Sequence, residues 1–180
     1  MLRRRMIMQS EMDAQFVKGF VNLSKTTVEL NTEEPIEVYN FTIEFNMKIP
    51  LYFGERNVFI IFSASNSGYI EVWNDNSFAS YGRKYKPTIY NDGMLHTFVW
   101  KRESFEKGYS LSIDNGVPST FNGGHEINGK LSFLLKQNSE IYKFSVNGKK
   151  FKPCIKNGYF GYMCDKDFYA FSSQDIVPIY

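Results

Sequence analysis

The alternation of apolar and polar residues from Phe41 to Ile49 constrains the fold of this chain more than any other feature. Every second residue in this segment is apolar, and the residues between are Thr, Glu, Asn and Lys. Side chains of a strand point to opposite faces in turn, whereas a helix needs apolar residues at i, i+3 and i+4. The segment therefore predicts a β-strand with one face in a core and the other in water.

Short apolar runs separated by turn residues continue along the chain. They cover residues 16–23, 58–62, 69–73, 94–102, 109–113, 131–135 and 141–146. Asn115-Gly116 and Asn147-Gly148 are pairs that favour tight hairpin turns, and the aromatic share of 17% also favours strands. About nine short strands and no convincing helix predict an all-β fold, a two-sheet antiparallel jelly-roll sandwich.

The 180 residues fit one domain with two appended segments. Residues 1–13 lack strand alternation and are predicted to be a mobile arm. Residues 14–152 hold the predicted sandwich. Residues 153–180 are rich in Tyr and Phe without clean alternation, so we expect this tail to pack on the domain.

Charge and hydropathy patterns exclude two classes of partner. The net charge is +2, and Lys and Arg are interleaved with Asp and Glu. A nucleic-acid-binding protein usually has a clustered basic face, so we expect no nucleic-acid ligand. No apolar run approaches the ~18 residues of a membrane span. The first residues lack an apolar signal region, which suggests a cytosolic protein or a chain without the start of a secreted precursor.

The segment Asp92 to Arg102 resembles the central signature of laminin G-like domains. An Asp-Gly pair precedes a His-Thr pair and a strand that ends in Lys-Arg, although Leu95 stands where that family usually has Trp. Further pieces resemble the family in order, and they include Gly19-Phe20, residues 41–47, 58–73, 111–116 and 142–148. The resemblance covers about residues 14–150, and it implies the concanavalin A-like jelly roll.

What the resemblance implies about function is recognition of partners. Laminin G-like domains recognise matrix and cell-surface proteins and glycans, and many use a calcium ion at one rim. The places that correspond to the calcium ligands hold Asn66 and Asn91. Two neutral amides make a weak site for a cation that prefers carboxylates, and both residues also suit turns. Calcium is therefore possible, and no other cofactor is expected.

A sugar site needs a stacking aromatic residue beside polar side chains. Tyr69, Trp73 and Asn74 could provide one, although packing within the hairpin of residues 58–73 is the favoured interpretation of Trp73. Trp100 shares a strand face with Phe98, and we assign both to the core. Tyr69, Trp73 and Asn74 are therefore the candidate ligand-binding residues.

Cys154 and Cys164 are compatible with a disulfide and with two free thiols. The extracellular location that the resemblance implies predicts the disulfide. Asn22 and Asn40 begin N-x-S/T sequons, which also fit an extracellular protein.

Catalysis has little support in the sequence. Glycan hydrolysis needs two carboxylates about 5 Å apart for a retaining mechanism. Glu71 and Asp75 have a suitable spacing, but Asp75 lies in turn chemistry. His96 follows the Asp92-Gly93 turn, where we expect it to hydrogen-bond backbone groups. We therefore predict a non-catalytic recognition or adhesion module that binds a protein or glycan. The alternatives are a structural accessory domain of a larger extracellular protein and a glycan-acting enzyme.

Overall fold

The described residues form nineteen β-strands and no helix, which confirms the all-β prediction. A computed structural model describes residues 13–23, 28–31, 36–38, 40–50, 59–60, 71–72, 78–80, 83–85, 92–104, 108–121, 127–129, 132–135, 137–171 and 175–180. The first ten strands are β1 (Ala14–Phe16), β2 (Gly19–Val21), β3 (Val28–Asn31), β4 (Ile36–Val38), β5 (Phe41–Lys48), β6 (Phe59–Ile60), β7 (Glu71–Val72), β8 (Phe78–Ser80), β9 (Arg83–Tyr85) and β10 (Leu95–Arg102). The others are β11 (Tyr109–Ile113), β12 (Ser119–Phe121), β13 (Ile127–Gly129), β14 (Ser132–Leu135), β15 (Glu140–Val146), β16 (Lys149–Lys156), β17 (Tyr159–Cys164), β18 (Asp167–Ala170) and β19 (Val177–Ile179).

One antiparallel sheet of eleven strands is the largest of the sheets that the described residues form. Eight of its eleven strands follow the order β12-β11-β10-β5-β15-β16-β17-β18. The other three join it at its side, because β1 pairs with β16, β2 pairs with β15, and β19 pairs with β2. Smaller ladders are formed by β13 with β4, by β14 with β3, and by β6 to β9 in chain order. β6 and β7 pair antiparallel, as expected for the two apolar runs at residues 58–62 and 69–73.

Strand β5 lies at the centre of the large sheet and has the alternation that the sequence predicts. Its apolar residues are all buried, and the polar residues between them are exposed or half-buried. Ile49 continues the buried series. Burial of aliphatic and aromatic side chains stabilises the fold by roughly 25 cal/mol per Å² of apolar surface. This strand and Ile49 therefore contribute five buried apolar side chains to the core.

Strand β10 runs beside β5 and presents the predicted face to the core. Phe98, Trp100 and Arg102 are almost fully buried. The Phe98 ring stacks on Phe45, with 5.0 Å between centroids. The Arg102 guanidinium lies 5.2 Å from the centroid of the Tyr109 ring, a cation–π geometry. The assignment of Phe98 and Trp100 to the core is confirmed.

The first predicted strand, residues 16–23, is divided in the structure. β1 pairs with β16, and β2 pairs with β15 and β19. Gly19 begins β2, where an added Cβ would stand 2.5 Å from the carbonyl oxygen of Ile141. Only a residue without a side chain fits this approach, which explains why a glycine lies at the point where the chain changes partners.

The C-terminal tail forms strands that the sequence analysis did not predict. β16 runs across the boundary between residues 152 and 153, and β17, β18 and β19 follow it. The side chains of Tyr162, Phe171 and Ile176 belong to the same buried cluster as Phe20 and Phe144. Tyr162 makes edge contacts with Phe144, at 4.9 Å, and with Phe20, at 5.9 Å. The tail thus contributes strands to the large sheet and side chains to its core.

Candidate functional site

The face of the large sheet that points away from the core is polar where β5, β15 and β16 lie side by side. Thr42, Glu44 and Asn46 project from β5 between the buried residues of that strand. Register places Ser145 of β15 between Glu44 on one side and Lys150 on the other. Glu44 and Ser145 each pair with residues on both neighbouring strands, so the face presents side chains there.

A groove of about 710 Å³ lies on this face, between the first described residues and the β15–β16 hairpin. We call it the lysine groove. Its charged members are Lys18, Glu44, Lys143, Lys150 and Lys152. Phe16, Asn46, Ser145 and Pro153 are among its other lining residues. The volume is in the range of small-molecule sites, about 300–1,000 Å³, and the groove is partly open to solvent.

The lysine groove carries a net charge of +3, because four lysines face one glutamate. All four lysines are exposed. Within the part of the chain that the structure describes, none of them forms an ion pair with a carboxylate. The groove therefore offers four ammonium groups to an anionic ligand.

Phe16 forms an apolar wall of the groove. Its side chain is 51% exposed, which is unusual for a phenylalanine in a strand. It lies opposite Cys154 of β16, and the Lys152 ammonium lies 5.8 Å from its ring centroid. On the floor, the Asn46 amide donates a 2.6 Å hydrogen bond to the Thr97 hydroxyl, which fixes the Asn46 side chain. The groove thus combines positive charge, a flat aromatic surface and fixed polar groups.

A second cluster of charged side chains lies at one rim of the sheet. His96 Nε2 is 2.9 Å from Asp92 Oδ1, and His96 Nδ1 is 2.6 Å from Asp114 Oδ2. Asp114 also accepts a 2.8 Å hydrogen bond from the backbone N–H of Thr97. Asp114 and Asn115 have φ values of 50° and 59°, as in a type I′ turn. We call this cluster the histidine clamp, because it ties the turn at Asp92 to the turn at Asp114.

The clamp perturbs the pKa of each of its members. Burial lowers the pKa of His96, but the hydrogen bonds to Asp114 and Asp92 outweigh it, and the net direction is upward. The hydrogen bond from His96 lowers the pKa of Asp92. Burial raises the pKa of Asp114, but the hydrogen bonds from the backbone N–H of Thr97 and from the His96 ring outweigh burial, and the net direction is downward. A protonated imidazole between two carboxylates explains all three directions.

His96 joins two turns of the fold, and its partners differ from the prediction. It binds two carboxylates rather than backbone groups. Sequence reasoning missed Asp114, which is eighteen residues away and becomes a neighbour only when β10 and β11 pair. Among the described residues, no group of three His, Cys, Asp or Glu side chains has a geometry that could hold a metal ion.

The candidate ligand and calcium residues from the sequence lie outside the described residues. This applies to Tyr69, Trp73 and Asn74 for the sugar site, and to Asn66 and Asn91 for calcium. The predicted arm, residues 1–13, is described only at Asp13. These predictions therefore remain predictions. The described part of the chain contains no helix that could cross a membrane.

The predicted disulfide between Cys154 and Cys164 is wrong for this structure, because both are free, buried cysteines. Cys154 lies opposite Gly161, and Cys164 lies three residues further along β17. Three residues of strand span about 10 Å, and an odd offset places the two side chains on opposite faces of the sheet. A disulfide needs Cα atoms within about 7 Å of each other.

The two sequons also differ in the structure. Asn22 is fully buried, and its side-chain amide donates a 2.8 Å hydrogen bond to the carbonyl oxygen of Leu135. Asn40 is exposed and immediately precedes β5. In the folded protein, only the Asn40 side chain of these two is accessible to a modifying enzyme.

The fold is that of a concanavalin A-like jelly-roll sandwich, the fold that the sequence resemblance implies. The chain is similar to the mouse laminin alpha1 chain, domains LG4-5, with a TM-score of 0.55 and 12% identity over 91% of this chain and 47% of that chain. It therefore spans about half the length of the laminin structure. It is also similar to a heptameric SAP-like pentraxin from Limulus polyphemus, with a TM-score of 0.50 and 16% identity over 74% of this chain and 75% of that one.

The similarities lie in structure rather than in sequence. A variant of human galectin-16 matches with a TM-score of 0.48 and 9% identity over 71% of this chain and 99% of that chain. No protein-family model and no curated protein sequence matches the chain. At such identities the likeness establishes the fold, and functional statements must come from the site itself.

The sequence analysis did not predict the clustering of lysines in the lysine groove. Lys and Arg are dispersed along the chain, and Lys18 is far in sequence from Lys143, Lys150 and Lys152. The pairing of β1 with β16 brings these positions to one place. A local signal did exist, since Lys150 and Lys152 alternate with Phe151 and so share one face of a strand.

Proposed function

We propose that this protein is a non-catalytic recognition module that binds a glycan in the lysine groove. The observation that carries the proposal is the groove itself, which has an exposed aromatic wall at Phe16 and hydrogen-bonding side chains on its floor. A pyranose ring has an apolar face that stacks on aromatic rings and hydroxyl groups that bond to polar side chains. Glu44 and Ser145 supply such polar groups.

A glycan fits this surface better than a protein partner does. Peptides often bind by adding a strand to a free sheet edge. Glu44 of β5 and Ser145 of β15 each pair with residues on both neighbouring strands, so this part of the groove offers side chains rather than a strand edge. Protein interfaces also rely on clusters of buried aromatic or aliphatic anchors. The groove exposes Phe16 among mostly charged and polar side chains.

A binding role also agrees better than a hydrolytic role with the chemistry of the groove. Glycan hydrolysis generally uses a pair of carboxylic acids. Glu44 is the only carboxylate among the described residues that line the groove.

Binding to a panel of immobilised neutral and acidic glycans tests this proposal. We expect at least one glycan to be retained, and we expect Phe16→Ala to weaken its binding several-fold. Val117→Ala is the matched control, because Val117 is 92% exposed and does not line the groove. If no glycan is retained, or if Phe16→Ala binds as the unmodified protein does, the proposal is wrong.

A further inference from the structure

We infer that the Asn157-Gly158 turn is a site of spontaneous deamidation, at which the asparagine is converted into a mixture of aspartate and isoaspartate. This inference does not depend on the ligand of the lysine groove. It is carried by a comparison of three Asn-Gly pairs in turns of the described chain, whose hydrogen bonds differ. The pairs are Asn115-Gly116, Asn147-Gly148 and Asn157-Gly158.

The reaction needs only the turn itself and water. The backbone nitrogen of Gly158 loses its proton and attacks the side-chain carbonyl carbon of Asn157, and the side-chain nitrogen leaves as ammonia. Water then opens the resulting cyclic succinimide at either of its two carbonyl groups, which gives aspartate or isoaspartate. Glycine favours the attack because it has no side chain to obstruct the approach of its nitrogen.

Two of the three pairs form turns with nearly identical backbones. The β15–β16 hairpin turns at Asn147-Gly148, and the β16–β17 hairpin turns at Asn157-Gly158. The φ values are 49° and 80° in the first turn and 52° and 79° in the second, as in a type I′ turn. All four residues are exposed. Backbone conformation and access to water therefore do not distinguish the two pairs.

Hydrogen bonds to a neighbouring strand hold the side chain of Asn147. Its Oδ1 accepts a 2.8 Å hydrogen bond from the backbone N–H of Thr42, and its own backbone N–H donates a 2.8 Å bond to the carbonyl oxygen of Thr42. The side chain must rotate before its carbonyl carbon can reach the nitrogen of Gly148, and this rotation breaks the bond to Thr42. The contact with Thr42 therefore protects Asn147.

At Asn115 the attacking nitrogen is held instead of the side chain. The N–H of Gly116 donates a 2.8 Å hydrogen bond to the carbonyl oxygen of Ile113, so this bond must break before the nitrogen can lose its proton. Among the described residues, no hydrogen bond holds the Asn157 side chain or the Gly158 N–H. Asn157-Gly158 is therefore the pair that can reach the reactive geometry without losing a contact.

The test follows deamidation of the native full chain during incubation at mildly alkaline pH. Peptide mass spectrometry locates each modified asparagine, and an isoaspartyl methyltransferase with labelled S-adenosylmethionine counts the isoaspartate. We expect Asn157 to react about fivefold faster than Asn147, the rate factor that one hydrogen bond of typical net strength provides. In urea the two residues should react at similar rates, because the bond to Thr42 is lost.

Two glycine variants form a matched pair for this test. Asn157→Gly should remove most of the isoaspartate, and Asn147→Gly should leave most of it. Glycine adopts the positive φ of both turns without strain, and Gly-Gly also forms type I′ turns. Melting temperatures near that of the unmodified protein would show that both variants keep the fold.

Several outcomes would overturn the inference. Equal rates at Asn147 and Asn157 in the native protein would show that the bond to Thr42 gives no protection. Faster modification of Asn115 than of Asn157 would contradict the role of the Gly116 hydrogen bond. An Asn157 that stays intact in the native chain while it reacts in urea would show that the fold protects it. A preference for Asn157 that persists unchanged in urea would assign the difference to the local sequence instead of the structure.

Discussion

His96 Nδ1 lies 2.6 Å from a carboxylate oxygen of Asp114, and this contact joins two turns that are separate in the sequence. The backbone supports the same junction, because the N–H of Asp114 donates a 2.9 Å hydrogen bond to the carbonyl oxygen of Thr97. On the other side of the ring, Nε2 is held by Asp92. One rim of the sandwich therefore depends on the protonation state of a single imidazole.

The histidine clamp predicts a dependence of stability on pH. The pKa of folded His96 is raised, so the bonded imidazolium stabilises the fold fully below the unfolded value of about 6.5. This contribution is lost as the pH rises through the raised folded pKa. We expect the free energy of unfolding, measured with urea, to fall by about 1 kcal/mol from pH 6 to pH 8. That figure is small because Asp114 is half exposed and solvent screens its charge.

His96→Gln is the variant that isolates this effect. Glutamine keeps the neutral hydrogen-bonding ability of the side chain without titrating, so the variant should be modestly less stable at pH 6 and should lose most of the slope between pH 6 and pH 8. Asp92 and Asp114, whose pKa values are lowered, do not contribute to this slope. Their contribution to stability is present above pH 3.8 and is lost only as the pH falls below that value. An unchanged slope in His96→Gln would contradict the clamp.

Trp100→Ala should be strongly destabilising. Trp100 is 1% exposed, and it contacts the rings of Phe41 and Tyr109 at 5.0 and 5.7 Å. Truncation of a buried aromatic residue leaves a cavity and costs about 3–5 kcal/mol. Urea unfolding should detect this loss, whereas Val117→Ala, at an exposed position, should change stability by less than about 0.5 kcal/mol. A cost for Trp100→Ala near that of the control would place Trp100 outside the core.

The sequence predicts strands that have one buried face and one solvent-exposed face. It does not predict strands whose pairing partners change along their length. Phe41, Phe45 and Trp100 obey a period of two because β5 and β10 each keep the same two faces throughout. In β16 both Pro153 and Cys154 are buried. Its first half pairs with β15 and its second half with β1, so its burial pattern does not alternate.

The candidate site was less accessible to sequence reasoning than the fold. The aromatic candidates Tyr69 and Trp73 were chosen for residue type and strand face, which say nothing about neighbours from distant strands. The lysine groove depends on such neighbours, since Phe16 lies across from Cys154 and Glu44 lies two strands from Lys150. Pairings of this kind are set by the topology of the whole sheet.

Gly19→Ala should weaken the junction between β2 and β15. A Cβ at this position would meet the carbonyl oxygen of Ile141 at 2.5 Å and the Cα of Tyr142 at 2.9 Å, both of which are backbone atoms that cannot rotate away. Overpacking of this type costs about 1–3 kcal/mol. Thermal or urea unfolding should show the loss. Gly116→Ala is the comparison, because its nearest contact is a single carbonyl oxygen at 3.0 Å, and it should cost less.

The two cysteines should behave as protected free thiols. Cys154 is fully buried, and burial raises its pKa to about 11. Burial also raises the pKa of Cys164, which is 5% exposed. Because the thiolate is the reactive form, roughly one Cys154 thiol in a thousand would be ionised at pH 8 even if reagent could reach it. A thiol reagent should therefore label neither residue quickly in the native protein and should label both in urea, as counted by mass spectrometry.

Reductant should leave the melting temperature unchanged, because there is no disulfide to break. Cys164→Ala should leave the slow reaction of Cys154 as it is, since the two thiols lie on opposite faces of the sheet. Recovery of a Cys154–Cys164 crosslinked peptide from native protein would contradict the register of β16 and β17.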